Sequence, residues 1–289
     1  MYYASVADAI AVSRTPGGNT NTNITEANKA DLLRYIRMVS RRIDSDFAAR
    51  RPLFTPYIEA RKFMVASDRI NSVENTFRLS GSLLALSAVT AGLTALTVGT
   101  TVTAYPDPDA PPFNELALDT CTNWYAYVTS AARFVTVTGV WGIQRDYANA
   151  WLAVDALAAG ITSSATTLTV ANADGANPYG FTPRLSAGHV LRIESEYLIV
   201  TSVNETTNTL TVQRGALGST AASHDSGASV DVWQVEDPIR HVVARQAAFV
   251  WARQGAYSTV EVQGMSEIRY PPDLLAELRA VEQDYANYG

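Results

Sequence analysis

Three histidines, one cysteine and scattered carboxylates are the residues in this chain of 289 from which acid–base, nucleophilic or metal chemistry could be built. His189, His224 and His241 read as lying in a strand, a turn and a helix, with no metal-ligand spacing between them, so each reads as an ordinary surface or core imidazole. The sequence holds no GxSxG elbow, no GxxxxGK[ST] loop, no GxGxxG fingerprint and no HExxH helix. Cys121 stands alone, which excludes an internal disulfide framework and any multi-cysteine metal site and leaves a buried thiol as its reading. Asp107 and Asp109 in "PDPDAPP" have the right oxygens for a hard cation, but prolines flank them and no further ligands follow at regular spacing; a rigid exposed loop is the expectation. No catalytic set, metal or cofactor is therefore expected, and the chain reads as a non-enzyme.

Two other groups of residues suggest recognition. Arg34, Arg37, Arg41 and Arg42, followed by Arg50, Arg51, Arg61 and Lys62, form a local basic excess in a chain whose balance is acidic, 22 Lys plus Arg against 28 Asp plus Glu. A nucleic-acid grip calls for interleaved aromatics or a recognition helix, and neither accompanies these arginines. They read instead as a solvated helix face or a subunit contact, since arginine suits interfacial pairing with carboxylates. The run "TNWYAYV", with Trp124, Tyr125 and Tyr127, fits a sugar-stacking platform or ordinary packing.

The elements that must carry these residues follow from hydrophobic period. Leu32, Ile36, Val39, Ile43 and Phe47 form one stripe of a helix predicted from Thr25 to about Arg51, with Thr25 as its cap and the arginines on the opposite face. A short helix is predicted around Val6 to Val12, before the polar loop "TPGGNTNTN". After Pro52, "YIEARKFMV", "NTFRLSGSLLAL", "TALTVGTTVTAY" and "ARFVTVTGVWGI" read as strands, and "RDYANAWLAVDALAAG" as a return to helix. From Ile161 to about Trp233 the pattern is β throughout, with turn signals at "NADGANPYG" and "NETTN". Helix resumes at Asp237, with Pro238 at its first position and Gly255 at its end. A last helix from Pro272 places Leu274, Leu275, Leu278, Val281 and Tyr285 on one side, to cover the core or reach a partner. The predicted class is α+β: a mainly helical, discontinuous domain of residues 1–160 and 235–289 with short strands, and an inserted all-β small barrel or sandwich of residues 161–234. No apolar run is long enough to span a bilayer, and the first residues lack the basic start of a secretory signal, so a cytoplasmic origin is expected.

Several stretches in order, "YASVADAIAV", "LLRYIRMVSRRIDSDFAARRPLF", "FRLSGSLLAL", "YPDPDAPP", "RFVTVTGVWGI" and "DPIRHVVARQAAFVWAR", resemble the head-tail connector (adaptor) proteins of long-tailed bacteriophages. The β stretch "LRIESEYLIVTSV" with "NTLTVQRGALGSTAASHDSGASV" resembles a small domain that recurs as an addition in phage structural proteins. The resemblance implies a virion protein of the neck that is made in the host cytoplasm. It would form a homo-oligomeric ring, a dodecamer on the family pattern, beneath the portal protein and above a further neck or tail-completion protein. DNA would pass through its lumen without sequence-specific binding. It implies portal contact through the terminal segment, hence through Leu274, Leu275, Leu278, Val281 and Tyr285; Arg34, Arg37, Arg41 and Arg42, read above as a solvated helix face or a subunit contact, are the candidates for the interface between copies. A stopper or tail-completion protein is a close variant. A carbohydrate-binding or decoration protein of the virion, resting on the β module and Trp124, is the alternative class.

Overall fold

The computed structural model describes residues 1–13, 25–46, 53–107, 111–120, 122–127 and 133–253, with helical positions at 276, 279 and 280. The chain divides into two compact units. One brings Met1–Arg51 together with Trp151–Ala286, and the other is built on Pro52–Ala150.

Three described helices belong to the first unit: α1 (Val6–Val12), α2 (Glu26–Asp46) and α3 (Asp237–Arg253). Ser5 caps α1 reciprocally, its hydroxyl accepting from the Asp8 amide at 3.1 Å while the Asp8 carboxylate accepts from the Ser5 amide at 2.7 Å. In α2, Thr25 Oγ1 accepts from the Asn28 amide, as the sequence predicts, and Leu32, Ile36, Val39 and Ile43 are buried along the expected stripe. Ile239, Val242, Val243, Ala247 and Ala248 give α3 its buried face, and all three helices pack against one another. Ser40 ties α2 to the start of the chain by accepting from the Tyr3 amide at 3.0 Å, and the Tyr3 hydroxyl bonds to Asp44.

The second unit is one antiparallel sheet of β1 (Tyr57–Met64), β2 (Ile70–Asn71), β3 (Thr76–Ala91), β4 (Thr94–Leu96), β5 (Val102–Tyr105), β6 (Phe113–Leu118) and β7 (Phe134–Trp141). Its path runs β1-β7-β3-β6-β5, with β2 and β4 also on β3. Phe63, Phe77, Trp124 and Trp141 form its aromatic core, with ring centroids 5.2 Å apart for Phe77–Trp124 and 5.9 Å for Phe63–Trp141. Both indoles have partners: Trp124 donates to the Asn75 carbonyl and Trp141 to the Glu59 carbonyl, each at 3.1 Å. Gly139 permits β7 to lie close on β3, because a Cβ there would stand 2.2 Å from the Ala85 carbonyl oxygen.

Six further strands complete the first unit: β8 (Trp151–Ala156), β9 (Thr167–Thr169), β10 (Val190–Ile193), β11 (Glu196–Asn204), β12 (Thr209–Gln213) and β13 (Ser229–Trp233). They pair in the order β8-β13-β10-β11-β12-β9. The two ends of that path meet at a Leu157–Val170 bridge, with Ala158 donating to Thr169 at 2.9 Å, so the sheet closes into a small barrel. Leu168, Leu191, Ile193, Leu198, Val200, Leu210, Val230 and Val232 fill it.

The mainly helical domain predicted from sequence is not what the chain forms. Among the described residues helix accounts for 24% and strand for 37%, in sheets of seven and six strands. Two segments produce the difference. Strands expected to be short join into one sheet around β3, which alone runs 16 residues and serves partners on both flanks. "RDYANAWLAVDALAAG", expected to be helical, gives a single 3-10 turn at Tyr147–Asn149 and then β8. Its alanines favour helix weakly, and pairing of β8 with β13 over Trp151–Ala156 outweighs that preference.

Candidate interaction surface

The outer face of α2 is the most distinctive solvent-facing feature of the first unit. Arg34, Arg37, Arg41 and Arg42 all stand exposed on the side opposite the core stripe, as helical spacing predicts. Arg34 has 79% of its side chain exposed and lies 3.4 Å from Asp31 one turn earlier. Met38 sits within this face and is 47% exposed, an apolar centre with arginines before and after it. Arginine around an exposed methionine is the composition of an interface core, in contrast to the lysine and glutamate of an ordinary wet surface. Leu274, Leu275, Leu278, Val281 and Tyr285, the predicted portal-contact residues, lie outside the described residues, as do Asp109 and Cys121.

A second cluster lies inside the barrel wall and was not legible from sequence. Glu196, fully buried at the start of β11, receives two hydrogen bonds from the Arg214 guanidinium at 2.7 Å each, and further ones from the amides of Gly215 at 2.9 Å and Ala222 at 3.0 Å. The His224 ring bonds to Glu196 through Nε2 at 2.8 Å and to Glu194 through Nδ1 at 2.9 Å. Arg214 also donates to the carbonyls of Thr162 and Ala165 at 2.8 Å and to that of Ala222 at 2.5 Å. Burial is the largest single influence on the Glu196 carboxyl and pushes its pKa up. The bonds from Arg214, Ala222, Gly215 and His224 together outweigh it and hold the group at about 2. The arrangement staples the loop "RGALGSTAASH" across the barrel, and its polar groups are turned inward on one another.

The remaining histidines stand apart. His189 precedes β10, partly buried, with Nδ1 accepting from the Ser186 amide at 3.2 Å. Desolvation lowers its pKa; Asp8 opposes that and Arg240 adds to it. With exposed His241 and the Arg240–Asp237 pair (2.6 Å), it lines an open cleft of about 470 Å³ between α1, α3 and the barrel. Among the described residues no group of three or more His, Cys, Asp or Glu is placed to hold a metal ion, and no helix is long and apolar enough to cross a membrane.

Trp124 fails as a sugar platform because it is fully buried, with its ring against Phe77; Tyr125 is the exposed aromatic among the described residues of that run. The barrel shows two other aromatics, Tyr179 (62% exposed) and Phe181 (64% exposed), on a loop fixed by Asn177, whose side-chain oxygen accepts from both of their amides at 3.0 Å. No protein-family model matches this sequence, and no curated protein matches it either.

Proposed function

We propose that this chain is a structural subunit of the neck of a long-tailed phage virion, a head-to-tail adaptor that assembles with copies of itself into a ring beneath the portal. The order of the adaptor-like motifs along the chain supports the reading. The observation that carries it is the α2 face, where a helix buries Leu32, Ile36, Val39 and Ile43 on one side and offers solvent a run of arginines around Met38 on the other. The ring extends the DNA channel and joins capsid to tail. The acidic balance of the chain, −6, suits such a channel, since a wall that repels phosphate lets DNA slide. The terminal segment holding Leu274, Leu275, Leu278, Val281 and Tyr285 contacts the portal. Co-sedimentation of the chain with the portal ring of its virion tests this assignment: the full chain is expected to travel with the ring, and a chain ending before Pro271 is not. Failure of the full chain to co-sediment contradicts it.

A second reading, attachment of the barrel to a glycan, draws on the preorganised display of Tyr179 and Phe181. Binding of the full chain on a glycan array, abolished by Tyr179→Ala with Phe181→Ala, favours it over the first.

A further inference from the structure

The second unit presents a surface opposite in charge to the α2 face. At the turn between β2 and β3, Val73 is 95% exposed and Glu74 is exposed beside it. Asn71 fixes the turn: its side-chain oxygen accepts from the amides of Val73 at 3.0 Å and Glu74 at 3.3 Å, and its amide nitrogen donates to the Glu74 carboxylate at 3.1 Å. Asn75, at φ 55°, donates from Nδ2 to the carbonyls of Leu118, Thr120 and Thr122 at 3.3, 3.4 and 2.9 Å, which brings exposed Asp119 to the same edge. Glu115 stands behind them, with Arg78 3.7 Å from it. The local field is negative enough to push the Tyr105 hydroxyl up, first through the charge of Glu74, then by burial, by its hydrogen bond to Glu74 and by Glu115.

We infer that the arginine face of α2 on one copy docks on the Val73–Glu74 turn of the next, with Met38 against Val73 and with Arg34, Arg37 and Arg41 facing Glu74 and Asp119. The inference rests on the ring reading and names the contact that builds the ring. Each patch offers one exposed apolar side chain beside charges mainly of one sign, with Asp31 on the first and Arg78 on the second as the exceptions; the prevailing signs are opposite, so each covers what the other leaves wet. Arg34 to Arg41 spans two turns of helix, about 10 Å, a width suited to a tight turn. The two patches are different surfaces of the same chain. Their contact is therefore heterologous, passes from copy to copy, and closes into a ring when the rotation between neighbours allows. Charges arranged in this way set register and encounter rate more than affinity, and salt screens them.

The test uses the full chain and three variants, a triple reversal Arg34→Glu/Arg37→Glu/Arg41→Glu, a double reversal Glu74→Arg/Asp119→Arg, and the two combined. Sedimentation at low and high salt reads the concentration at half-assembly, and circular dichroism checks the fold. Each reversal alone is expected to raise that concentration by about tenfold or more at low salt, and the combined chain to recover most of the loss. Rings unaffected by either reversal overturn this contact and leave the ring reading standing. A natural chain that stays monomeric at every concentration overturns both. Unchanged assembly with lost retention of duplex DNA in the triple reversal assigns the arginine face to phosphate and overturns the contact as well.

Discussion

Glu196 is a fully buried carboxylate, and its charge persists because Arg214, His224 and two backbone amides converge on it. Removing one partner from such a set leaves an uncompensated buried charge, so Glu196→Gln or Arg214→Met is expected to destabilise the barrel by about 3–5 kcal/mol in chemical denaturation. Replacing both at once with apolar side chains of similar volume is expected to cost less than either alone. The pH dependence has a definite sign. The folded carboxyl, at about 2, lies below its ordinary value of 4.5, so its contribution is complete above pH 4.5 and disappears as pH falls from there toward 2. An acid titration followed by tryptophan fluorescence checks this, with Glu196→Gln showing a flatter profile over the same range. The cluster escaped the sequence because Arg214 and His224 lie 18 and 28 positions beyond Glu196, and only barrel closure brings them together. The one local signal was the run from Arg214 to His224, rich in Gly, Ser and Ala between two polar ends.

At the scale of elements, α1 is seven residues long and holds its place through its ends. Val6 donates to the Ala187 carbonyl at 2.9 Å and Ala7 to Ser186 Oγ at 3.1 Å, while Ser5 and Asp8 close the cap. Ser5→Ala is expected to cost about 1 kcal/mol in thermal unfolding. Gly188, at φ 97°, faces this helix, and a Cβ there would stand 2.9 Å from the Ala4 carbonyl oxygen. Gly188→Ala combines strain with that clash and is expected to cost about 1–3 kcal/mol by the same measurement. His189 lies beside the seam, and its pKa is lowered below the ordinary 6.5 by burial, with Asp8 raising it and Arg240 lowering it further. The folded state therefore resists protonation there: stability is complete above pH 6.5 and falls as pH drops below it. Thermal midpoints at pH 7.5 and 5.5 are expected to differ more for the natural chain than for His189→Gln. Helices α1, α2 and α3 and the strands of the barrel after Ile161 were legible, because period, caps and turn residues agreed. Strand β6 was hidden behind the prolines of "YPDPDAPP", and β8 behind alanines whose helical preference yields to pairing with β13.

For the whole molecule, the sequence indicated a β module between helical ends, and the structure gathers those ends and that barrel into one unit with a second sheet unit between them in the chain. Long-range strand pairing decided this, and it leaves little trace in local period: β3 pairs with β6, β7, β2 and β4. The exposed arginines of α2, in contrast, were readable in advance, because a helix fixes which residues share a face. The function proposed for the chain rests on copies of it tiling around an axis through those faces. Mass and rotational symmetry of the purified full chain, by light scattering and negative-stain imaging at low salt, measure that tiling directly. Closed rings whose mass is a whole multiple of 31.2 kDa are expected; a 31.2 kDa monomer at every concentration, alone and with the portal ring, contradicts the proposed assembly.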